Sequence, residues 1–430
     1  MYDLTIIGAG WAGFNAAMTA KKLGLKTALV ERSFIGGACL NHGCIPTKTL
    51  IQSSKVFNLV KKSKTFGIDC GEQASISLAE IQKRKDSLVA GLRRGMEFML
   101  KGLDYINSEA QIISSDTIKT AGGQIKTKHI LIASGSKPVE LEKLKFNKTK
   151  IISSDEMVAL TEIPRALLIV GGGVIGCEFA SLFSSLGSTV AIAELSGQLL
   201  PGEDRDVSRK LEVVFKKKNI TVMVNTDAVL LDMSAYDLIL VCVGRKPNFA
   251  GLYSESLGLA QEKGRIVVDD YGRTTIPTIY AAGDCTGKLM LAHFAAYQGR
   301  RAVENMAAPS QLKKINLASV PNCIFTEPEI ASIGLSEEQA KAQGIPVSIS
   351  KFDFLGSGMA RILDETEGFL KINADSRTSQ ILGASIIGPK ATELISIISL
   401  AIDSGRTTQA LKEMIFPHPT LSESISEALS

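Results

Sequence analysis

The sequence lacks a basic stripe. Its 430 residues carry a net charge of +4 with the signs intermixed, and the lysine runs (Lys61, Lys62 and Lys64; Lys216 to Lys218) read as solvated helix faces, so no nucleic acid partner is expected. It also lacks an apolar stretch long enough to cross a bilayer, and no basic leader stands ahead of the apolar run at residues 4–7. A soluble chain with no membrane insertion and no signal peptide is expected. Nor is there a framework of paired cysteines: seven, an odd number, are spread thinly over the chain. That pattern favours a reducing compartment, the cytoplasm or an organelle matrix after loss of a transit peptide. What the chain does have is bulk, with 45% hydrophobic and 21% charged residues, enough for about two to four domains.

It also has a repeat, at an offset of 163 residues, which superposes two complete units. The segment 4–8 maps onto 167–171; Gly8, Gly10 and Gly13 map onto Gly171, Gly173 and Gly176; Gly24 maps onto Gly187 and Glu31 onto Glu194. Each unit reads as strand, glycine turn, helix, strand. The helices (residues 12–23 and 174–186) each run into a glycine suited to a left-handed C-cap, and the strands that follow (26–30 and 189–193) each run into a glutamate. In such a unit the first glycine makes the tight turn, the second lets the backbone approach a pyrophosphate, and the third lets helix pack close to strand. The helix N-terminus holds the phosphates. Glu31 and Glu194 stand where a carboxylate accepts hydrogen bonds from an adenosine ribose. A 2′-phosphate beside Glu194 would be repelled, and residues 195–202 contain no arginine, so the second site is expected to prefer NAD to NADP.

Two dinucleotides in one chain imply electrons passed between a flavin and a nicotinamide, and the stretch GGACLNHGCIPTK (36–48) offers a next carrier. In a regular helix Cys39 and Cys44 would be separated by about 7.5 Å of rise and about 140° around the axis. A disulfide between them therefore needs a distorted turn, and Gly43 and Pro46 are the residues to expect in one. A short, strained disulfide is a poor staple and a good redox centre. A structural disulfide remains the plainer alternative. No metal site is expected, because only His42 lies near and no second cysteine pair completes four ligands.

With these features on the page, the sequence resembles the class I pyridine nucleotide-disulfide oxidoreductases. The resemblance spans nearly the whole chain: besides the cysteine stretch and both glycine turns it takes in ASGSKP (133–138), VGRKPN (243–248), YAAGDC (280–285), LAHFA (291–295), FTEPEIASIGLSEEQA (325–340) and HPTLSE (418–423). It implies an α/β fold with two Rossmann-like dinucleotide-binding domains, one for FAD and one for NAD, plus a C-terminal α+β dimerisation domain. The implied plan is an FAD domain from 1–147 and 266–312, an NAD domain at 148–265, and an interface domain at 313–430, with a linker at 307–316. In the last, a strand at 381–387 and a helix at 393–402 suit a sheet with helices packed on it.

The resemblance also implies roles. FAD is bound, tightly but not covalently, by Gly8, Gly10, Gly13, Glu31, Arg32, Gly37, Ala38, Lys48, Ala110, Ser134, Gly135, Ser136, Asp284 and the segment Met290, Leu291, Ala292 and His293. NAD is bound by Gly171, Gly173, Val174, Ile175, Gly176, Glu178, Glu194, Ala228 and Gly244. Cys39 is the interchange thiol and Cys44 the flavin-side thiol of a redox disulfide. Lys48 lies by the flavin, paired with Glu178, because an ammonium there stabilises negative charge on the reduced ring. His418 is the base that removes the substrate thiol proton and Glu423 orients it, supplied across a homodimer interface. The implied reaction oxidises protein-bound dihydrolipoamide to lipoamide with NAD reduced to NADH, the partner being a lipoyl-carrying protein or a small dithiol. The nearest alternatives are a glutathione-type or a mercuric-type reductase, although residues 416–430 lack the paired cysteines usual in the latter. From another class comes a flavin-bearing assembly subunit with little turnover. The remaining cysteines are expected as buried free thiols. Ala38, His42 and Phe416-Pro417 depart from the family pattern, and the NAD domain has little room for a β-hairpin arm. His42 is the departure expected to lower a thiol pKa.

Overall fold

The computed structural model describes residues 1–71 and 74–430. Three large sheets organise them. The first runs, in spatial order, through strands 104–107, 27–31, 2–7, 123–132, 117–120 and 111–114, with Ile279–Ala281 added in parallel on 123–132. Its strands from 104–107 to 123–132 are parallel, and the central pair, 2–7 and 27–31, is buried on both faces. Accordingly Leu4–Ile7 and Thr27–Val30 read as continuous apolar or small residues rather than alternating ones. The helix Trp11–Lys22 lies on this sheet against the helix Ala292–Ala307. Alanine makes that approach close: Ala16, Ala17 and Ala20 are fully buried, and a Cβ on Gly299 would stand 2.1 Å from Ala12 O.

The second sheet is wholly parallel, in the order 221–223, 189–193, 166–170, 238–241, 151–152. The repeat read in the sequence is a repeat of register. Leu4 pairs with Thr27 and Ile7 with Val30, while Leu167 pairs with Val190 and Val170 with Ala193, each position displaced by the same 163 residues. The helices are Trp11–Lys22 and Val174–Leu186, and Gly24 (φ +70°) and Gly187 (φ +104°) take the left-handed conformation after them. Between residues 223 and 238 there is one short 3-10 turn, Ala228–Leu230, and no hairpin arm.

The third sheet, of order 322–324, 329–334, 381–388, 369–375, 347–353, is antiparallel, and the helix Ala391–Asp403 covers it. It is joined to the second unit by a buried ion group. Lys371 is 2% exposed, and its ammonium lies 3.0 Å from Asp204 Oδ2, 3.1 Å from Asp206 Oδ2 and 3.0 Å from Glu337 Oε2. Asp204 is itself buried, so removing the lysine would leave an uncompensated carboxylate at a cost of roughly 3–5 kcal/mol. Lys55 reaches Glu329 at 2.6 Å and ties the helix Cys44–Lys61 to the same sheet. Among the described residues no helix is long and apolar enough to cross a membrane.

Candidate active site

One cavity of about 2110 Å³ runs between the first two sheets and the third. That is about twice the upper end of ordinary small-molecule sites. All the cofactor residues expected from sequence line it except Gly13 and Gly176. Those two act by packing: a Cβ would stand 1.8 Å from Gly8 O at Gly13 and 2.0 Å from Gly171 O at Gly176, so only glycine lets each helix sit on its strand. The middle glycines are open in the way a phosphate needs. Around Gly173 no foreign atom approaches within 4 Å, and at Gly10 the nearest is Gly37 Cα at 3.8 Å.

Each glutamate braces its own turn. Glu31 accepts from Ala9 N at 2.8 Å and Ser33 N at 2.8 Å; Glu194 accepts from Gly172 N at 2.6 Å and Ser196 N at 2.7 Å. Each carboxylate oxygen thus keeps a free lone pair toward the cavity. Around the rest of the wall, Ser136 donates to Asp284 Oδ2 at 2.5 Å and accepts from Arg245 Nε at 2.8 Å. His293 Nε2 lies 2.9 Å from Pro321 O; a carbonyl only accepts, so that nitrogen carries the proton.

The cysteine stretch folds as a broken helix. Gly37–Asn41 forms one short segment and Cys44–Lys61 a second, with the interruption at His42 and Gly43 (φ −125°, ψ −112°). The break brings the two sulfurs together, and Gly43 makes it feasible, since its Cβ would stand 3.1 Å from Ala38 O and 3.3 Å from Cys39 Cα. Both cysteines are free thiols here, each acting on the other through a side-chain hydrogen bond. The hydrogen bond from Cys39 draws Cys44 down to about 7 against the opposing effect of burial, with Lys48 assisting. The position of Cys44 at the first residue of a helix works in the same direction. Cys39 is pushed up by its bond to Cys44 and by burial, and is pulled the other way by Trp11 and Lys48.

Lys48, one turn into the second segment, donates to both oxygens of Glu178 at 2.9 and 2.7 Å. Glu178 also accepts from Phe325 N at 2.9 Å, and the Lys48 ammonium lies 4.8 Å from the centre of the Phe325 ring. The expected pair is therefore present across 130 residues of sequence.

His418 and Glu423 are paired as expected, Nδ1 to Oε1 at 2.8 Å, and Glu423 Oε2 accepts from Thr420 N at 2.7 Å. These bonds hold Glu423 below the usual carboxylate range, the Thr420 amide contributing most and His418 next. The His418 side chain is 81% exposed, and neither residue lines the cavity that holds the cysteines of its own chain.

Two expectations are corrected. His42 is exposed at the cavity edge, and the groups that chiefly shift the thiols are the cysteines themselves, Trp11, Lys48 and Glu178. Of the other cysteines, Cys177, Cys242 and Cys285 are buried thiols, with burial pushing the last two up to about 12. Cys70 is exposed and Cys323 half-buried on the cavity wall. Sequence reasoning missed Trp11 and Phe325. Phe325 lies inside a motif that carried the resemblance; Trp11 was detectable as the only tryptophan, directly after Gly10. Among the described residues no group of three metal-ligating side chains occurs.

Residues 2–299 match the family of pyridine nucleotide-disulphide oxidoreductases, and residues 320–429 match the dimerisation domain of that family. The chain belongs to the pyridine nucleotide-disulphide oxidoreductase family, whose flavoprotein disulfide chemistry the cavity accommodates. It is 39% identical over 448 residues to dihydrolipoyl dehydrogenase of Chlamydia muridarum, covering 99% of this chain and 96% of that protein. It is 37% identical over 448 residues to dihydrolipoyl dehydrogenase of Bacillus subtilis, covering 99% and 97%. Among solved structures it resembles LpdA from Mycobacterium tuberculosis (TM-score 0.91, 29% identity, 99% of this chain and 98% of that one). It also resembles the HOCl-induced flavoprotein disulfide reductase RclA from Escherichia coli (TM-score 0.89, 29% identity, 100% and 99%).

Proposed function

We propose that this chain is an NAD-dependent dihydrolipoyl dehydrogenase, oxidising protein-bound dihydrolipoamide to lipoamide. The observation that carries the reading is a single cavity lined by both glycine turns with both thiols between them. The residues fit two dinucleotides, since each turn offers an open second glycine, a helix N-terminus and a braced glutamate. On this reading residues 1–147 and 266–312 hold FAD, 148–265 hold NAD, and 313–430 form the interface of a homodimer. FAD held there would supply two-electron transfer between the reduced thiols and the nicotinamide.

The side chains then have these tasks. His418 of the partner subunit, its Nδ1 fixed by the carboxylate of residue 423, removes a proton from the substrate dithiol. The thiolate attacks Cys39, the bond from Cys39 to Cys44 breaks, and the electron pair leaves on Cys44. The second substrate thiolate attacks the substrate sulfur of the mixed disulfide, which closes the lipoamide ring and releases Cys39 as thiolate. Lys48 supplies fixed positive charge beside the thiols, and Glu178 and Phe325 hold it there. Glu194, with no arginine in residues 195–202, favours NAD over NADP.

The test is a comparison of NADH oxidation rates with lipoamide, glutathione disulfide and other disulfides, and of NADH against NADPH. Lipoamide with NADH is expected to be fastest. Faster turnover of glutathione disulfide would place the enzyme with the glutathione-type reductases, and a colourless protein inert to all of them would favour the assembly-subunit alternative.

A further inference from the structure

The loop that carries Cys39 is gripped from outside the cavity by an arginine. Arg93 stands on the helix Leu78–Met99, is half-buried and does not line the cavity. Its guanidinium donates to the side-chain oxygen of Asn41 from Nε at 3.1 Å and from Nη2 at 2.6 Å, and its Cζ lies 4.2 Å from the centre of the Phe34 ring. Asn41 in turn donates from Nδ2 to Ile35 O at 3.0 Å and to Gly37 O at 2.8 Å. An arginine only donates and a carbonyl only accepts, so the Asn41 amide can sit in one orientation, with its oxygen and its NH2 group both engaged. The two carbonyls flank Gly36, whose own N–H is bonded to Ala9 O at 2.8 Å. The stretch from Phe34 to Asn41 is thus held at both ends by Arg93 and seated by Gly36 on the first glycine turn.

None of these contacts passes through a sulfur, and they are made with both cysteines as free thiols, so it is side chains and not a disulfide that hold the loop. Because the helix is broken at His42 and Gly43, the segment that begins at Cys44 cannot by itself dictate where Cys39 sits. We propose that Arg93 is a positioning residue for the redox pair: through Asn41 and Phe34 it keeps the reduced Cys39 segment in the place from which the bond to Cys44 closes. The inference rests on the reading of Cys39 and Cys44 as a redox pair. A loose segment would have to be ordered again, at an entropic cost, each time the bond formed; a held one has met that cost in advance, which stabilises the disulfide without touching either sulfur. Lys48 acts on the thiols by charge, whereas Arg93 acts by restraint.

The experiment uses the intact holoenzyme, equilibrated without oxygen in mixtures of reduced and oxidised dithiothreitol, with the thiols remaining at Cys39 and Cys44 counted by alkylation. Closure forms the bond between the two sulfurs, and the two electrons and two protons that the thiols give up open the disulfide of oxidised dithiothreitol. Arg93→Met is expected to lower the closing equilibrium constant about tenfold, as for loss of one hydrogen bond to a charged group, which raises the potential of the pair by about 30 mV. Phe34→Leu, which keeps the hydrogen bonds and loses the stacked ring, should lower it about threefold. Arg93→Lys keeps the charge without the planar fork and should behave as Arg93→Met does; should Arg93→Met not fold, Arg93→Lys and Phe34→Leu carry the same readout. In an Asn41→Ala background, Arg93→Met should add no more than Phe34→Leu does. An unmoved closing constant in Arg93→Met, the wild-type constant in Arg93→Lys, or full additivity of Arg93→Met with Asn41→Ala would each overturn the proposal. Dithiothreitol takes the place of lipoamide throughout, so a failure of the lipoamide reading, seen with the wild-type protein, is distinguishable from a failure of the clamp, seen in the variants.

Discussion

The two glycine turns are nearly the same object, and the chain that follows each of them is not. In both, the acidic residue accepts from the amide after the first glycine and from the amide two positions beyond itself. In both, the third glycine stands where a Cβ would strike the carbonyl of the first. After Glu31, the chain turns back so that Gly36 N bonds Ala9 O, and it lays Gly37, Ala38 and Cys39 over the turn. After Glu194 the same tie is made by Leu200 N to Gly172 O at 2.8 Å, but what is laid there is Leu199, whose side chain would meet a Cβ on Gly172 at 2.6 Å. The first turn is thus closed over by a redox loop and the second by an aliphatic plug that leaves Gly173 open. One scaffold accordingly gives a site suited to a retained group and a site suited to an exchanging one, and the difference resides in a connection of a few residues.

The largest effect should come from the third glycines. Gly13→Ala and Gly176→Ala each force a helix off its strand, a change worth roughly 3–5 kcal/mol. The first helix is also pressed against Ala292–Ala307, so Gly13→Ala should lose flavin and lower the melting temperature. Gly176→Ala should remain yellow and fail to be reduced by NADH; if it too emerges colourless, the two turns are not independent. The braces come next. Glu194→Ala leaves two turn amides without their charged acceptor and should weaken NADH binding by about 2–3 kcal/mol, roughly 30- to 150-fold, with flavin content unchanged; Glu31→Ala should show the reverse pattern. Titration of NADH against each variant decides this. The smallest effect is a titration confined to the first turn. Because the Cys44 pKa is depressed to about 7, thiolate should be present in the reduced protein above that pH and be lost as pH falls through it. Lys48→Met should raise the midpoint, while Gly176→Ala leaves it in place, as read by ultraviolet thiolate absorbance.

Much of this was legible in the sequence because it is local. The repeat, the glutamates and the left-handed glycines Gly24 and Gly187 follow from a spacing that the backbone must obey. The Lys48 and Glu178 pair spans 130 residues, and only resemblance to a family connected it. Two things resisted reading. The influence of His42 was overrated because adjacency in sequence does not say how far a side chain is withdrawn from water, and here it is exposed at the cavity edge. Trp11 was missed for the converse reason: 28 residues from Cys39 in the chain, it joins the same cavity wall because Gly37 lets two backbone segments nearly touch.

The ion group around Lys371 bears on how the molecule is assembled. A carboxylate as deeply buried as Asp204 has its counterion on a strand of the C-terminal sheet, 167 residues later in the chain. The second unit is therefore coupled electrostatically to the C-terminal sheet: separated from the last hundred or so residues, it would lose the cation that compensates Asp204 and open that face to water. Evolution could recombine such a unit with a new C-terminal partner either by supplying a cation at that place or by giving up the Asp204 carboxylate, which makes the Lys371 contact a check on domain exchange.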